Sequence, residues 1–101
     1  MGDPCDFTNF MAAVIDESSY DNTMGYIDFA RKSNEAQIVV GGSGDKSTGY
    51  FVEPTVVLTS NPHFKLMEEE IFAPVLTLFV YDDRDFDATL ALCDTTSPYA
   101  L

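Results

Sequence analysis

Several things are scarce in this chain of 101 residues. Tryptophan is absent, there is a single histidine, and only two cysteines occur, at positions 5 and 93. A lone His63 has no second imidazole at metal spacing, so a zinc site is not expected, and His63 reads as a surface loop residue. Cys5 and Cys93 have no CxxC spacing, and no Asn-x-Ser/Thr sequon accompanies them, which suits a reducing compartment better than a disulfide framework. Neither is expected to be a catalytic nucleophile, Cys5 standing in a proline-flanked loop and Cys93 near the end of an expected helix. Positive charge is scarcer still: 5 Lys and Arg face 17 Asp and Glu, a net charge of -12. That balance repels phosphate backbones and anionic lipid, so neither nucleic acid nor a membrane surface is an expected partner. No apolar run approaches the 18 residues of a membrane span, and the N-terminus lacks the basic and apolar regions of a secretory signal and the Arg-rich character of a transit peptide.

What is present is an ordinary globular composition, 46% hydrophobic and 22% charged. Ser18-Ser19-Tyr20-Asp21 reads as a capping box, opening a helix that runs to about Lys32, where Arg31 and Lys32 suit its negative end. Tyr20, Met24 and Ile27 form one stripe and Tyr26 and Phe29 another, so this helix is expected either between two layers or with its second neighbour missing from this chain. The apolar run Gln37–Val40 suits a parallel strand covered on both faces. The glycine-rich loop 41–49 carries Lys46-Ser47, but Asp45 puts an anion where a P-loop needs glycine, and strand-like residues follow instead of a helix. A flexible exposed turn is the better reading.

Pro54 confines the stretch Tyr50–Leu58 to an edge, a bulge or two short strands. Residues 65–69 suit one helical turn. Val75–Tyr81 reads as the central strand, apolar on both faces. Asp82–Asp87 imitates a calcium loop, but Ala88 replaces the required glycine, and Asp94 stands where the bidentate glutamate belongs. These acids read instead as the charged start of a helix from about Phe86 to Cys93, with Phe86, Leu90 and Cys93 facing inward. The order helix–strand–strand–strand–helix implies the α/β class, with no internal domain boundary over residues 1–101.

One stretch does not follow from packing alone. Glu68-Glu69-Glu70 places three carboxylates side by side before Ile71-Phe72-Ala73-Pro74-Val75, and their repulsion needs solvent or hydrogen-bond donors to offset it. From the residues alone this is a solvated acidic turn leading into a strand. Glu-Glu-Ile-Phe-Ala-Pro-Val also resembles a signature of the aldehyde dehydrogenase superfamily. Gly49-Tyr50-Phe51-Val52-Glu53-Pro54-Thr55 upstream, Met1-Gly2-Asp3-Pro4 at the start and Tyr99-Ala100-Leu101 at the end resemble its other motifs, in the same order. Asp6-Phe7-Thr8-Asn9-Phe10, Ala13-Val14-Ile15-Asp16 and the final stretch from Asp94 are most similar to the 1-pyrroline-5-carboxylate dehydrogenases.

The resemblance implies a partial catalytic domain of the aldehyde dehydrogenase fold, from a parent that oxidises glutamate semialdehyde to glutamate with NAD in proline breakdown. Its nucleophilic cysteine and general-base glutamate would lie upstream, so no catalytic residue is assigned here and the isolated chain is expected to be inactive. Three residues match cofactor contacts: Glu70, whose carboxylate accepts from the nicotinamide ribose; Phe72, which packs on that ribose and ring; and Leu101, near the nicotinamide pocket. Ala73 replaces the commoner glycine, which is tolerable if its φ is negative. The implied partner is a small aldehyde, the parent a homo-oligomer, and its place the mitochondrial matrix in a eukaryote or otherwise the cytoplasm. The alternatives are a fragment of a broader-range aldehyde dehydrogenase, or a non-catalytic truncated isoform that docks onto full-length subunits.

Overall fold

The computed structural model describes residues 1–97. After an N-terminal loop come helix α1 (Glu17–Lys32), strands β1 (Ala36–Val40), β2 (Gly44–Asp45), β3 (Phe51–Val52) and β4 (Thr55–Thr59), the one-turn helix α2 (Lys65–Glu68), strand β5 (Val75–Phe79), a 3-10 turn (Asp83–Asp85) and helix α3 (Phe86–Thr96). Three strands form one sheet in the order β1-β4-β5, and β2 pairs with β3 in a separate two-stranded ribbon. This is the α/β arrangement expected.

Helix α1 starts two residues earlier than the capping box suggested. Asp16 is the N-cap, its carboxylate accepting the Ser19 amide at 2.7 Å. A carboxylate at that position both satisfies a free N–H and complements the positive helix end, so it takes the capping role from Ser18. Its inner face, Tyr20, Thr23, Ile27 and Ala30, is buried against the sheet and the ribbon. The second stripe also has a neighbour: Phe29 stacks on Phe64 with ring centroids 5.5 Å apart, and Tyr26 packs on the core around Phe64 and Leu66.

Three strand expectations are corrected. β1 pairs antiparallel with β4, not parallel, and its bulge near Val39 leaves Val39 and Val40 about half exposed. The connection from β1 to β4 needs no crossover, because the glycine-rich loop and its ribbon turn the chain straight back. That loop is therefore partly structured: Gly44 and Asp45 pair with Val52 and Phe51. Gly41, at φ 67°, sits where an added Cβ would fall 2.3 Å from the Pro54 carbonyl oxygen, so only glycine fits. The central strand is β4 and not β5. Pro54 does divide its stretch into two short strands, but it lies before β4, whose own amides are free to pair on both sides.

β4 and β5 are parallel, with Thr55 opposite Val75 and Thr59 opposite Phe79. One sheet face carries the buried Thr55, Val57 and Thr59 under α1 and α2. The other leaves Leu76 and Leu78 exposed, and Val80 beyond the strand is exposed too. The inner stripe expected on α3 is also corrected: Phe86, Leu90 and Cys93 are all exposed, and no described residue of α3 is buried. Helix α3 packs mainly on the 3-10 turn before it, so these apolar side chains meet no layer among the described residues.

Candidate functional site

The acidic stretch lies in the crossover between the parallel strands β4 and β5. A parallel pair requires such a connection, and here it runs through α2 and then an irregular turn to Pro74. Both ends of the turn are tied down. The Glu69 amide closes α2 by donating to the Lys65 carbonyl at 3.0 Å, and the Thr55 amide donates to the Pro74 carbonyl at 2.9 Å. Between them Ile71 packs into the core with Tyr26, Met67 and Val75.

Each of the three adjacent carboxylates has a different partner. Glu68 Oε1 lies 2.9 Å from His63 Nδ1. Glu69 Oε2 accepts from the Tyr26 hydroxyl and lies 3.9 Å from Lys65 Nζ. Glu70 Oε1 accepts the Phe72 backbone N–H at 2.7 Å. The repulsion expected of three neighbouring anions is thus relieved by spreading them over a histidine, a tyrosine with a lysine, and a main-chain amide. His63 is exposed in a turn, consistent with its reading as a loop residue, although it does have this acidic neighbour.

The Glu70–Phe72 bond closes a tight loop in which Phe72 takes φ 54°, the sole positive φ of a non-glycine residue among those described. A bulky residue in the left-handed region costs about 1–2 kcal/mol, and the carboxylate that accepts its amide helps hold it there. Phe72 is 89% exposed, its ring projecting from the turn. Ala73 does not share the positive φ, so its methyl is tolerated at this position.

Glu70 through Pro74 form one wall of a groove of about 740 Å³, and Met11 through Ile15 with Ser19 form the other. The second wall is the N-terminal strap, held by the Gly2 amide on the Met11 carbonyl at 3.0 Å and the Val14 amide on the Tyr50 carbonyl at 2.9 Å. The strap is the part of the groove that sequence reasoning missed. Phe10 and the run Ala13-Val14-Ile15 stand in the sequence only as part of the family resemblance, and no local pattern says that they face the acidic turn. Met11 and Val14 are half-buried whereas Phe10 and Ile15 are exposed.

These walls suit a ligand with a flat ring and vicinal hydroxyls. A carboxylate can accept from two adjacent hydroxyls, and an exposed aromatic beside it offers an apolar face. A carboxylate acceptor beside an apolar ring face is compatible with the nicotinamide riboside that the resemblance implies. Two of the three expected cofactor contacts, Glu70 and Phe72, are brought together here; Leu101 lies outside the described residues. No group of three His, Cys, Asp or Glu that could hold a metal exists among the described residues, and no described helix is long and apolar enough to cross a membrane. Cys5 and Cys93 are both exposed free thiols, and neither borders the groove.

The sequence profile of the aldehyde dehydrogenase family matches residues 1–101. The chain is 55% identical, over its whole length, to the mitochondrial delta-1-pyrroline-5-carboxylate dehydrogenase of Dictyostelium discoideum, and 44% identical to the human protein of that name. In each case it spans 18% of the relative's length. Among solved structures, the delta-pyrroline-5-carboxylate dehydrogenase of Mycobacterium tuberculosis bound with NAD superposes with a TM-score of 0.86 at 36% identity, over 98% of this chain and 17% of that one. A gamma-glutamyl-gamma-aminobutyraldehyde dehydrogenase from Burkholderia cenocepacia superposes with a TM-score of 0.83 at 35% identity, over 94% of this chain and 19% of that one. With the profile covering every residue and the fold reproduced at these identities, the chain belongs to the aldehyde dehydrogenase family.

Proposed function

We propose that the chain is a segment of an NAD-dependent 1-pyrroline-5-carboxylate dehydrogenase, which oxidises glutamate semialdehyde to glutamate, and that its own part is to hold the nicotinamide half of the cofactor. The observation that carries this reading is the pairing of Glu70 with the Phe72 amide, which sets a carboxylate and an exposed ring side by side at the rim of one groove. NAD, when bound, supplies the hydride acceptor. Glu70 accepts hydrogen bonds from the ribose hydroxyls, and charge-assisted bonds of this kind are each worth about 1.5–3 kcal/mol. Phe72 covers the ribose and ring with its face and excludes water from that side. Leu101 is assigned a third contact on the family resemblance alone.

The names of the relatives support glutamate semialdehyde as substrate, and several carry the word mitochondrial, which favours the matrix in a eukaryotic source and the cytoplasm otherwise. A homo-oligomeric parent follows from the same resemblance. The isolated chain supplies no nucleophile and base pair, and we expect it to be inactive. A second reading, a dehydrogenase acting on other aldehydes, is favoured by the similar match to the gamma-glutamyl-gamma-aminobutyraldehyde enzyme.

The test is steady-state kinetics of a complete enzyme carrying residues 1–101, with glutamate semialdehyde compared against other aldehydes. Glu70→Gln should raise the KM for NAD about tenfold, and Phe72→Ala should lower kcat by loosening the ring whose approach hydride transfer depends on. If Glu70→Gln leaves both constants unchanged, the three acids are only a solvated turn. A higher kcat/KM for another aldehyde would favour the second reading of the substrate.

A further inference from the structure

We infer that Tyr26, through the hydrogen bond its hydroxyl donates to Glu69, is a positioning residue that holds the Glu70–Phe72 turn in its ligand-receiving shape. This rests on the reading of Glu70 and Phe72 as the ribose contacts, and it concerns a residue that lies outside the signature and far from it in sequence.

The turn from Glu70 to Pro74 has no regular backbone ladder of its own, and it contains a bulky residue at φ 54°. A shape of that kind persists only when surrounding contacts over-determine it. Pro74 is held by the Thr55 amide, and Ile71 by packing. At its other end α2 is a single turn, too short to be rigid alone. Glu69 is the C-cap of α2 and the residue next to Glu70, so fixing its side chain fixes where the turn departs. Tyr26 does this from α1, the longest element of the fold, a 16-residue helix whose other face is buried in the core.

The surroundings of the bond are arranged to keep it. Lys65 Nζ lies 4.9 Å from the centre of the Tyr26 ring and 3.9 Å from Glu69 Oε2, so one cation faces both partners. The same lysine stands 5.5 Å from the centre of the Phe29 ring, which in turn stacks on Phe64 at the N-cap of α2. Both the start and the end of α2 are thereby fastened to the outer stripe of α1. This gives the Tyr26 and Phe29 stripe a role that core packing alone does not require, since Phe29 remains 44% exposed.

The test uses a complete enzyme carrying this segment, with four variants: Tyr26→Phe, Glu69→Ala, the two combined, and Glu69→Gln. Tyr26→Phe removes one hydroxyl and keeps the ring on the core. It should raise the KM for NAD about threefold to tenfold, with kcat and thermal midpoint little changed. Glu69→Ala should do the same, and the double variant should be no worse than either single one, because the two groups act as a unit. Glu69→Gln still offers an oxygen to the tyrosine and should stay within about twofold of the parent. A purely structural role would instead lower the midpoint and reduce activity without a selective KM effect, and that result overturns the inference. It is also overturned if Tyr26→Phe leaves the KM unchanged while Glu70→Gln raises it, in which case the ribose assignment stands alone. If Glu70→Gln has no effect either, both assignments fall together.

Discussion

The Thr55 amide donates to the Pro74 carbonyl at 2.9 Å, joining two motifs that lie far apart in the chain. Thr55 ends the Gly49–Thr55 motif and begins β4; Pro74 is the last residue but one of the acidic signature and precedes β5. The bond continues the parallel β4–β5 pairing outward past Val75, so the sheet itself sets the height at which Glu70 and Phe72 stand. The Thr55 side chain completes the junction, since its hydroxyl accepts the Gly42 amide at 3.0 Å and donates to the Glu53 carbonyl at 2.8 Å.

Thr55→Val should therefore be expensive for its size. Thr55 is 2% exposed, and the substitution keeps the shape while stranding a buried amide. Leaving such a donor unpaired costs about 1–3 kcal/mol. Thr55→Ser, which keeps the hydroxyl, should cost less. Thermal or urea midpoints of the two variants in a complete enzyme, with hydrogen exchange at Gly42 as the local readout, check this; equal losses for both would mean that the methyl matters and the hydroxyl does not.

Phe72 is a site where stability and activity should part. Phe72→Gly relieves the left-handed strain of about 1–2 kcal/mol but adds freedom to the unfolded chain. Phe72→Ala keeps the strain and loses the ring. The glycine variant should be the more stable of the two by up to about 1 kcal/mol, while both show the same reduced kcat. Denaturation midpoints and kinetics on the same preparations decide it. An alanine variant as stable as the glycine one would mean that the turn relaxes once the ring is gone.

The isolated 101-residue chain should fold only marginally. Leu76, Leu78 and Val80 are 57%, 42% and 74% exposed on the uncovered side of the sheet, and Phe86 and Leu90 of α3 are as open. Net stability of a domain is only about 5–15 kcal/mol, which an uncovered layer can consume. We expect binding of an environment-sensitive dye and no sharp calorimetric transition, with Leu76→Thr and Leu78→Thr together reducing the dye signal. A cooperative melt without dye binding would show that the chain is self-sufficient.

How far these features were legible in the sequence varies with their cause. The Tyr20, Met24 and Ile27 stripe, the break at Pro54 and the turn at Lys65 arise from local periodicity and backbone chemistry, and they occur where those predict. Strand order and direction do not arise locally. Gln37–Val40 and Val75–Tyr81 are both continuous apolar runs, and such a run reads the same whether it is parallel or antiparallel, central or outer. Helix α3 shows the converse: its apolar residues at Phe86, Leu90 and Cys93 mark a face, but what covers a face is set by chain elsewhere. In the proposed site, Glu70 and Phe72 are singled out by the motif alone. The Tyr26–Glu69 bond was not, because it joins residues 43 apart in sequence and no local pattern signals it.

That bond also predicts a pH response. Accepting the Tyr26 hydroxyl proton, Glu69 stabilises the neutral phenol and pushes the Tyr26 pKa up from the ordinary 10.0, with burial and the carboxylate's charge acting in the same direction. Lys65, 4.9 Å from the ring centre, favours the phenolate and opposes this, but it does not bond the hydroxyl. A raised folded-state pKa means the bond's contribution is complete below about pH 10 and disappears as the pH climbs through the folded value. Ultraviolet titration of the parent against Tyr26→Phe isolates this one phenol from every other tyrosine of the complete enzyme. Its midpoint should lie above 10, and Glu69→Ala should bring it down toward the ordinary value. The rise in KM for NAD at alkaline pH should follow the same midpoint in the parent and be absent in Tyr26→Phe. A Tyr26 midpoint that Glu69→Ala does not move would mean the hydroxyl and the carboxylate are not bonded in solution, and the turn would then be held without the Tyr26 hydroxyl, by Ile71, the Thr55–Pro74 and Glu69–Lys65 backbone bonds and its own Glu70–Phe72 bond.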